Sequence, residues 1–246
     1  MEEPVLPQLL IVLLSGFCLI IILLGFHAVL QKTGMEYYQK NLLFAKSVLV
    51  CMTWVGLVGV LALNGFFKDL SSFPPRPIVT ILVPFLFFLV LAFSTKGTKM
   101  IRFIPPHWLI GMQAFRILVE LLLWKAFMVN LLPVQMTFEG YNFDMLSGLL
   151  AIPVAWQIKR KWSKSLVIGY NILGLLLLLN ILTIAVLSLP TKMRVFLNEP
   201  SDIIVGSFPF IYLPSVLVVI ALGLHIFSLR QAMVLHREKV PTNSAY

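Results

Sequence analysis

Residues Gln8–Leu30 read QLLIVLLSGFCLIIILLGFHAVL, a stretch without one Asp, Glu, Lys or Arg. A hydrocarbon layer of about 30 Å takes roughly 20 helical residues to cross. Only helices or a closed barrel satisfy the backbone inside it. Near-continuous Leu, Ile, Val and Phe, without the alternation of a barrel strand, selects the helix. Outward from this stretch, similar runs recur at about 45–66, 77–94, 107–132, 141–158, 166–189 and 208–230. The sequence therefore predicts an all-α, polytopic integral membrane protein, a seven-transmembrane-helix bundle with residues 1–246 as a single transmembrane domain. The fifth run is the shortest and is interrupted by Pro153. Composition points the same way, since 59% hydrophobic and 12% charged residues need lipid over much of the surface.

The first run differs from a cleavable signal peptide. It follows the acidic Met1-Glu2-Glu3 where a basic segment would stand, and it is too long, so it is expected to be retained. Orientation follows from Lys and Arg in short loops, because basic residues are held on the cytoplasmic side. One set of loops carries Lys32, Lys40, Lys46, Lys96, Lys99, Arg102, Lys159, Arg160, Lys161, Lys164, Arg230, Arg237 and Lys239. The opposite set carries Lys68, Arg76, Lys192 and Arg194. Most acidic residues, among them Glu2, Glu3, Asp69, Glu199 and Asp202, fall in the second set, with Glu36 and Glu238 in the first. The expectation is an amino terminus outside and a carboxyl terminus in the cytoplasm.

The formal charge of +9 is thus spread over short loops facing anionic headgroups, and it is not a nucleic-acid footprint. Lys159-Arg160-Lys161-Trp162-Ser163-Lys164 is its densest patch and reads chiefly as a topology signal. Cys18 and Cys51 lie inside predicted helices, so neither a disulfide framework nor a zinc motif is implied.

The fourth run holds the chemistry. Gln113, Arg116 and Glu120 project within an arc of about 60° at 100° per residue, and Trp124 extends that face. Ionisable groups at mid-membrane depth cost about 3 kcal/mol each, so they turn to the bundle interior and take partners. Arg116 and Glu120 stand four residues apart and are expected to pair with each other. Two readings are open: an ion pair that fixes the helix, or a polar site at which Glu120 exchanges a proton or Arg116 holds an anionic group.

A second polar cluster follows in Met136-Thr137-Phe138-Glu139-Gly140-Tyr141-Asn142-Phe143-Asp144. Asn142 is placed to cap the fifth helix and Asp144 to favour its positive end. Glu139 has no such local role, and with its neighbours it forms an acidic lip in front of the fourth helix. His27, His107 and His225 share a depth near the basic ends of their helices, the weak basis for a haem or other redox site. The cofactor is otherwise unknown.

Gly56 and Gly59 in the second run, and Ser147, Ala151 and Ala155 in the fifth, are small residues that let helices approach. Pro84, Pro153, Pro209 and Pro214 can kink helices and free carbonyls. The run 208–230 has no lysine for a retinal Schiff base. No Walker loop, zinc-protease pattern or nucleophile elbow is present, so a non-enzyme is the favoured class, with a membrane enzyme or redox protein using the histidines left open.

Gln113, Arg116 and Glu120, the segment Met136–Asp144, and Phe208-Pro209 with Pro214 before a helix carrying His225 together resemble an uncharacterised family of bacterial multi-pass membrane proteins. The resemblance covers most of the chain and brings no activity with it. It implies a bacterial inner membrane and marks these polar positions for attention. The functional expectation is a site on the fourth helix, formed by Gln113, Arg116, Glu120, Glu139, Asn142 and Asp144, that binds or transports a small ligand or proton. A membrane subunit or sensor acting through a protein partner, and a redox protein using the three histidines, are the alternatives.

Overall fold

The computed structural model describes residues 5–239, and every regular element in that range is helical. The acidic Glu2 and Glu3 lie outside the described residues, as do the side chains of Arg237, Glu238 and Lys239. The long helices are α1 (Val5–Gln31), α2 (Tyr37–Leu63), α3 (Arg76–Phe93) and α8 (Lys164–Ser188). Between α3 and α8 come the shorter α4 (Thr95–Ile101), α5 (Pro106–Gly111), α6 (Phe115–Met128) and α7 (Met145–Arg160). A π-helical segment, Leu213–Val218, leads into α9 (Val219–Lys239).

Five of these stretches are long and apolar enough to cross a membrane: α1, α2, α3, α8 and the continuous Leu213–Leu235. That corrects the expectation of seven. The predicted fourth run is divided by a 3-10 turn at Met112–Ala114, which leaves α6 at 14 residues, with Arg116, Glu120 and Lys125 among them. The predicted fifth run begins at Met145 and not near 141, which leaves α7 at 16 residues. Apolar content alone located both runs, and it does not register where a turn tightens or a helix begins.

The outer faces of the long helices explain why lipid is needed. Phe17, Ile20 and Leu24 of α1, Leu49 and Val60 of α2, Val90 of α3 and Leu176 and Leu179 of α8 are all more than half exposed. An apolar surface of that extent has no counterpart on a monomer in water. With several long apolar helices, the chain is a multi-pass, all-helical integral membrane protein.

The last span occupies the centre, with 67% of its window buried against 17–28% for the other four. It packs against α3, α5 and α8 along its length, and its π-helical segment meets α1, α2 and α3. Ile11, Cys18, Val58, Leu123, Ile211, Leu217 and Leu224 belong to the apolar core around it. α5 and α7 pack closely, and Gly148 of α7 sits so near α6 that a Cβ there would lie 2.9 Å from the Ile117 amide nitrogen. The small residues expected at helix contacts divide. Gly59 faces the Tyr212 hydroxyl at close range, while Gly56 faces open space.

Connecting segments gather at two ends. At one, Lys32 lies over the Trp108 ring, and Pro105, Pro106 and His107 meet Lys159 and Trp162. At the other, Arg76 bonds the Phe66 carbonyl, Gln135 bonds Ser188, and Asn198 bonds Gln135. Between the ends, α6, α7, α8 and α9 enclose the polar residues of the interior.

Candidate functional site

Arg116 organises the interior. Its side chain is 2% exposed, and the guanidinium has five N–H donors in a rigid fork. Nε donates to Asp144 Oδ2 at 2.7 Å, and Nη2 donates to Asp144 Oδ1 and to the Gly174 carbonyl. Nη1 donates to Ser147 Oγ at 2.6 Å and lies 3.1 Å from His225 Nε2. All five donors are therefore taken, and Asp144 receives the bidentate arrangement that carboxylates prefer.

The contact with His225 fixes the imidazole. Because Nη1 can only donate, Nε2 accepts, and the ring proton belongs on Nδ1. Nδ1 lies 2.8 Å from Asn171 Oδ1. Asn171 Nδ2 in turn donates to the Val167 carbonyl and to Ser228 Oγ, which leaves Oδ1 free to accept from the ring. Every link agrees with a neutral His225. Gly174 makes room for this, because a Cβ at that position would stand 2.5 Å from His225 Cε1.

Glu120 continues the network in the other direction. Asn142 Nδ2 donates to both of its carboxylate oxygens, at 2.8 and 2.7 Å, and to the Met136 carbonyl at 3.0 Å. Asn142 Oδ1 accepts from the Asp144 amide at 3.0 Å. Contacts thus run without a gap from Glu120 through Asn142, Asp144, Arg116, His225 and Asn171 to Ser228. Gln113 lies alongside, its Nε2 donating to the Ala221 carbonyl at 3.1 Å while Oε1 is buried without a partner.

Two local expectations are corrected here. Arg116 pairs with Asp144 and not with Glu120, because the head of α7 lies across from the guanidinium and offers it two oxygens at once. Asn142 does not cap α7, whose first turn receives no side-chain cap, since its amide group is committed to Glu120 and the Asp144 backbone. Glu139 stands apart. Its carboxylate accepts from Trp124 Nε1 at 2.7 Å, and it borders a surface cleft of about 410 Å³ with Gln135, Tyr141 and Asn198.

The three histidines lie in different settings. His27 contacts Gln31 and the edge of Phe44, His107 borders a cleft at the basic end, and His225 is fully buried beside Arg116. Among the described residues, no three His, Cys, Asp or Glu side chains converge on a metal-sized space.

Ser147, Asn171, Gly174 and Ser228 are full members of the network. The sequence marked Ser147 only as small, and it gave no sign of Gly174 or Ser228. Asp202 was missed as well. It is fully buried in the segment after α8, and both carboxylate oxygens lack a hydrogen-bond partner. Burial pushes its carboxyl well above the usual range.

Fold and site together define a multi-pass helical membrane protein with an arginine-centred polar network enclosed by its last four helices. The family described as a domain of unknown function (DUF8737) matches residues 74–233, and the chain belongs to that family. The matched stretch contains every residue of the network. No curated protein matches the chain, and no solved structure does.

Proposed function

We propose that the Arg116 network is a proton-binding site of a membrane transporter, working in a bacterial inner membrane, in which protonation drives movement of the proton itself or of a small solute. One observation carries this reading: three proton-accepting side chains, Glu120, Asp144 and His225, are joined in one chain of contacts through Asn142 and the buried Arg116, and all are at most 4% exposed. Buried ionisable groups inside helical membrane proteins commonly belong to ion or proton paths.

The geometry supports a two-state exchange. A proton arriving on His225 Nε2 would put N–H against N–H and a cation against a cation, so Arg116 would have to release the ring. The guanidinium could then rely only on Asp144, Ser147 and Gly174. Loss of the proton restores the contact. Glu120 makes no ion pair among the described residues, so a proton there removes a buried charge whose hydrogen bonds come from Asn142.

The test is proton flux into vesicles that contain the purified protein and an entrapped pH-sensitive dye, driven by an imposed membrane potential. Wild type should acidify the lumen, and folded Glu120→Gln and His225→Leu proteins should be slowed by about tenfold or more, the scale on which loss of a positioned proton carrier acts. Equal rates in wild type, both variants and empty vesicles would overturn the reading.

A second reading, a membrane subunit or sensor acting through a protein partner, is favoured by one specific observation. Every donor of Arg116 already has an intramolecular acceptor, as a purely structural network would require. A partner recovered in a fixed ratio with the protein, together with no flux, would favour this reading.

A further inference from the structure

At the basic end, the start of α5, the last turn of α7 and the last described turns of α9 enclose a cleft of about 460 Å³. Its floor is apolar, with Pro106, Ile158, Trp162 and Leu235, and its polar groups are His107 and Lys159. These two side chains line the same cleft. His107 is held below its ordinary pKa by partial burial first and by the Lys159 charge second. Lys161 and Lys164 stand next to the cleft in sequence, and Arg160 stacks on Trp156 at 3.7 Å from the ring centroid.

Among the described side chains, the helices that line the cleft carry no carboxylate. The sequence has no Asp or Glu from Ser94 to Val119, none from Met145 to Ser188, and none from Val219 to Leu235. Among the described residues, neither Lys159, Lys161 nor Lys164 makes an ion pair. A cleft that offers a lysine ammonium and an imidazole N–H together with an apolar floor and an indole matches one kind of occupant at a membrane surface: a phosphate carrying hydrocarbon.

We propose that this cleft binds the headgroup of an anionic phospholipid, with Lys159 and His107 donating to the phosphate and Ile158, Trp162 and Leu235 packing on the glycerol and first acyl carbons. Anionic lipid is concentrated where polybasic loops meet the bilayer, and each nearby Lys or Arg contributes about 1 kcal/mol to its attraction. Arg and Lys hydrogen bonds to phosphate are among the stronger polar contacts available there. The site is separate from the Arg116 network, and its occupancy does not depend on any proton being moved.

The test is native mass spectrometry of the full-length protein released from detergent containing equal phosphatidylglycerol and phosphatidylcholine. The expected result is one phosphatidylglycerol retained in preference to phosphatidylcholine, with retention lowered roughly fivefold in Lys159→Ala and more in Lys159→Ala/His107→Gln, as loss of one charge near the surface implies. Lys192→Ala, at the opposite end, should retain lipid like wild type, and circular dichroism should confirm helix content in all variants. Equal retention of the two lipids, or unchanged retention in the folded double variant, would overturn the proposal. Displacement of the lipid by millimolar inorganic phosphate would assign the site to free phosphate and would equally overturn it.

Discussion

The Arg116 guanidinium meets the His225 imidazole edge to edge, Nη1 to Nε2 at 3.1 Å, in a contact that only a neutral ring can accept. Substitution should follow the acceptor and not the ring. His225→Gln can place an amide oxygen where Nε2 stands, so it should keep most of the thermal stability. His225→Leu should cost about 1–3 kcal/mol for the donor left unsatisfied. His225→Lys should be worse than either. Unfolding midpoints in detergent would check the order, and a stable lysine variant would contradict the neutral-ring assignment.

The Arg116–Asp144 pair is buried, so breaking it from either side strands a charge. Arg116→Leu and Asp144→Leu should each destabilise by about 3–5 kcal/mol, whereas the double variant should lose less than the sum of the two. A double-mutant cycle measured by reversible unfolding tests this. Strict additivity would mean that the two side chains do not depend on each other.

Gly174 and Gly169 lie on the same helix and give opposite expectations. A methyl at Gly174 would run into the His225 ring and lie 3.1 Å from Ser147 Oγ, while Gly169 has nothing within 4 Å of its Cβ position. Gly174→Ala should lower stability by about 1–3 kcal/mol through overpacking. Gly169→Ala should be neutral or slightly stabilising, since alanine suits a helix interior better. Parallel thermal scans would decide, and equal effects would contradict the close packing of α8 on α9.

Asp202 supplies a pH dependence with a definite sign. Its pKa in the folded protein is raised above the unfolded value by burial. Its contribution is therefore fully present below the unfolded pKa near 3.8 and is lost as pH rises through the folded pKa. Wild type should lose stability across that interval, and Asp202→Asn, which cannot ionise, should show a shallower slope. Melting midpoints from pH 4 to 8 would reveal it, and identical slopes would mean that Asp202 is not buried as a carboxylic acid.

The sequence made some of this visible and hid the rest for definite reasons. Charged residues within an apolar run, such as Arg116 and Glu120, stand out because their burial is costly, and both are buried. Their partners were harder to see, since Asp144 lies 28 residues from Arg116 and His225 lies 109 residues away. Spacing of three or four residues brings Glu120 to mind and is silent about a carboxylate across a helix interface. The five long apolar stretches were legible from composition. The division of 107–132 was not, because a 3-10 turn at Met112–Ala114 leaves no mark in hydropathy. Gly174 was invisible for a different reason. A glycine that clears space for an imidazole resembles any other helix glycine until the neighbouring helix is placed.

The central position of the last span bears on the order of assembly. Gln113 waits for the Ala221 carbonyl, Arg116 for His225, and Asn171 for Ser228, and all three acceptors are synthesised after α8. While the ribosome is still making that stretch, Gln113 Nε2 has no acceptor yet, and Arg116 and Asn171 are each short of one. The nascent chain must then keep those groups near water, lipid headgroups or the insertion machinery. Burial of the polar interior becomes a post-synthetic closing event, and residues 219–228 act as its keystone.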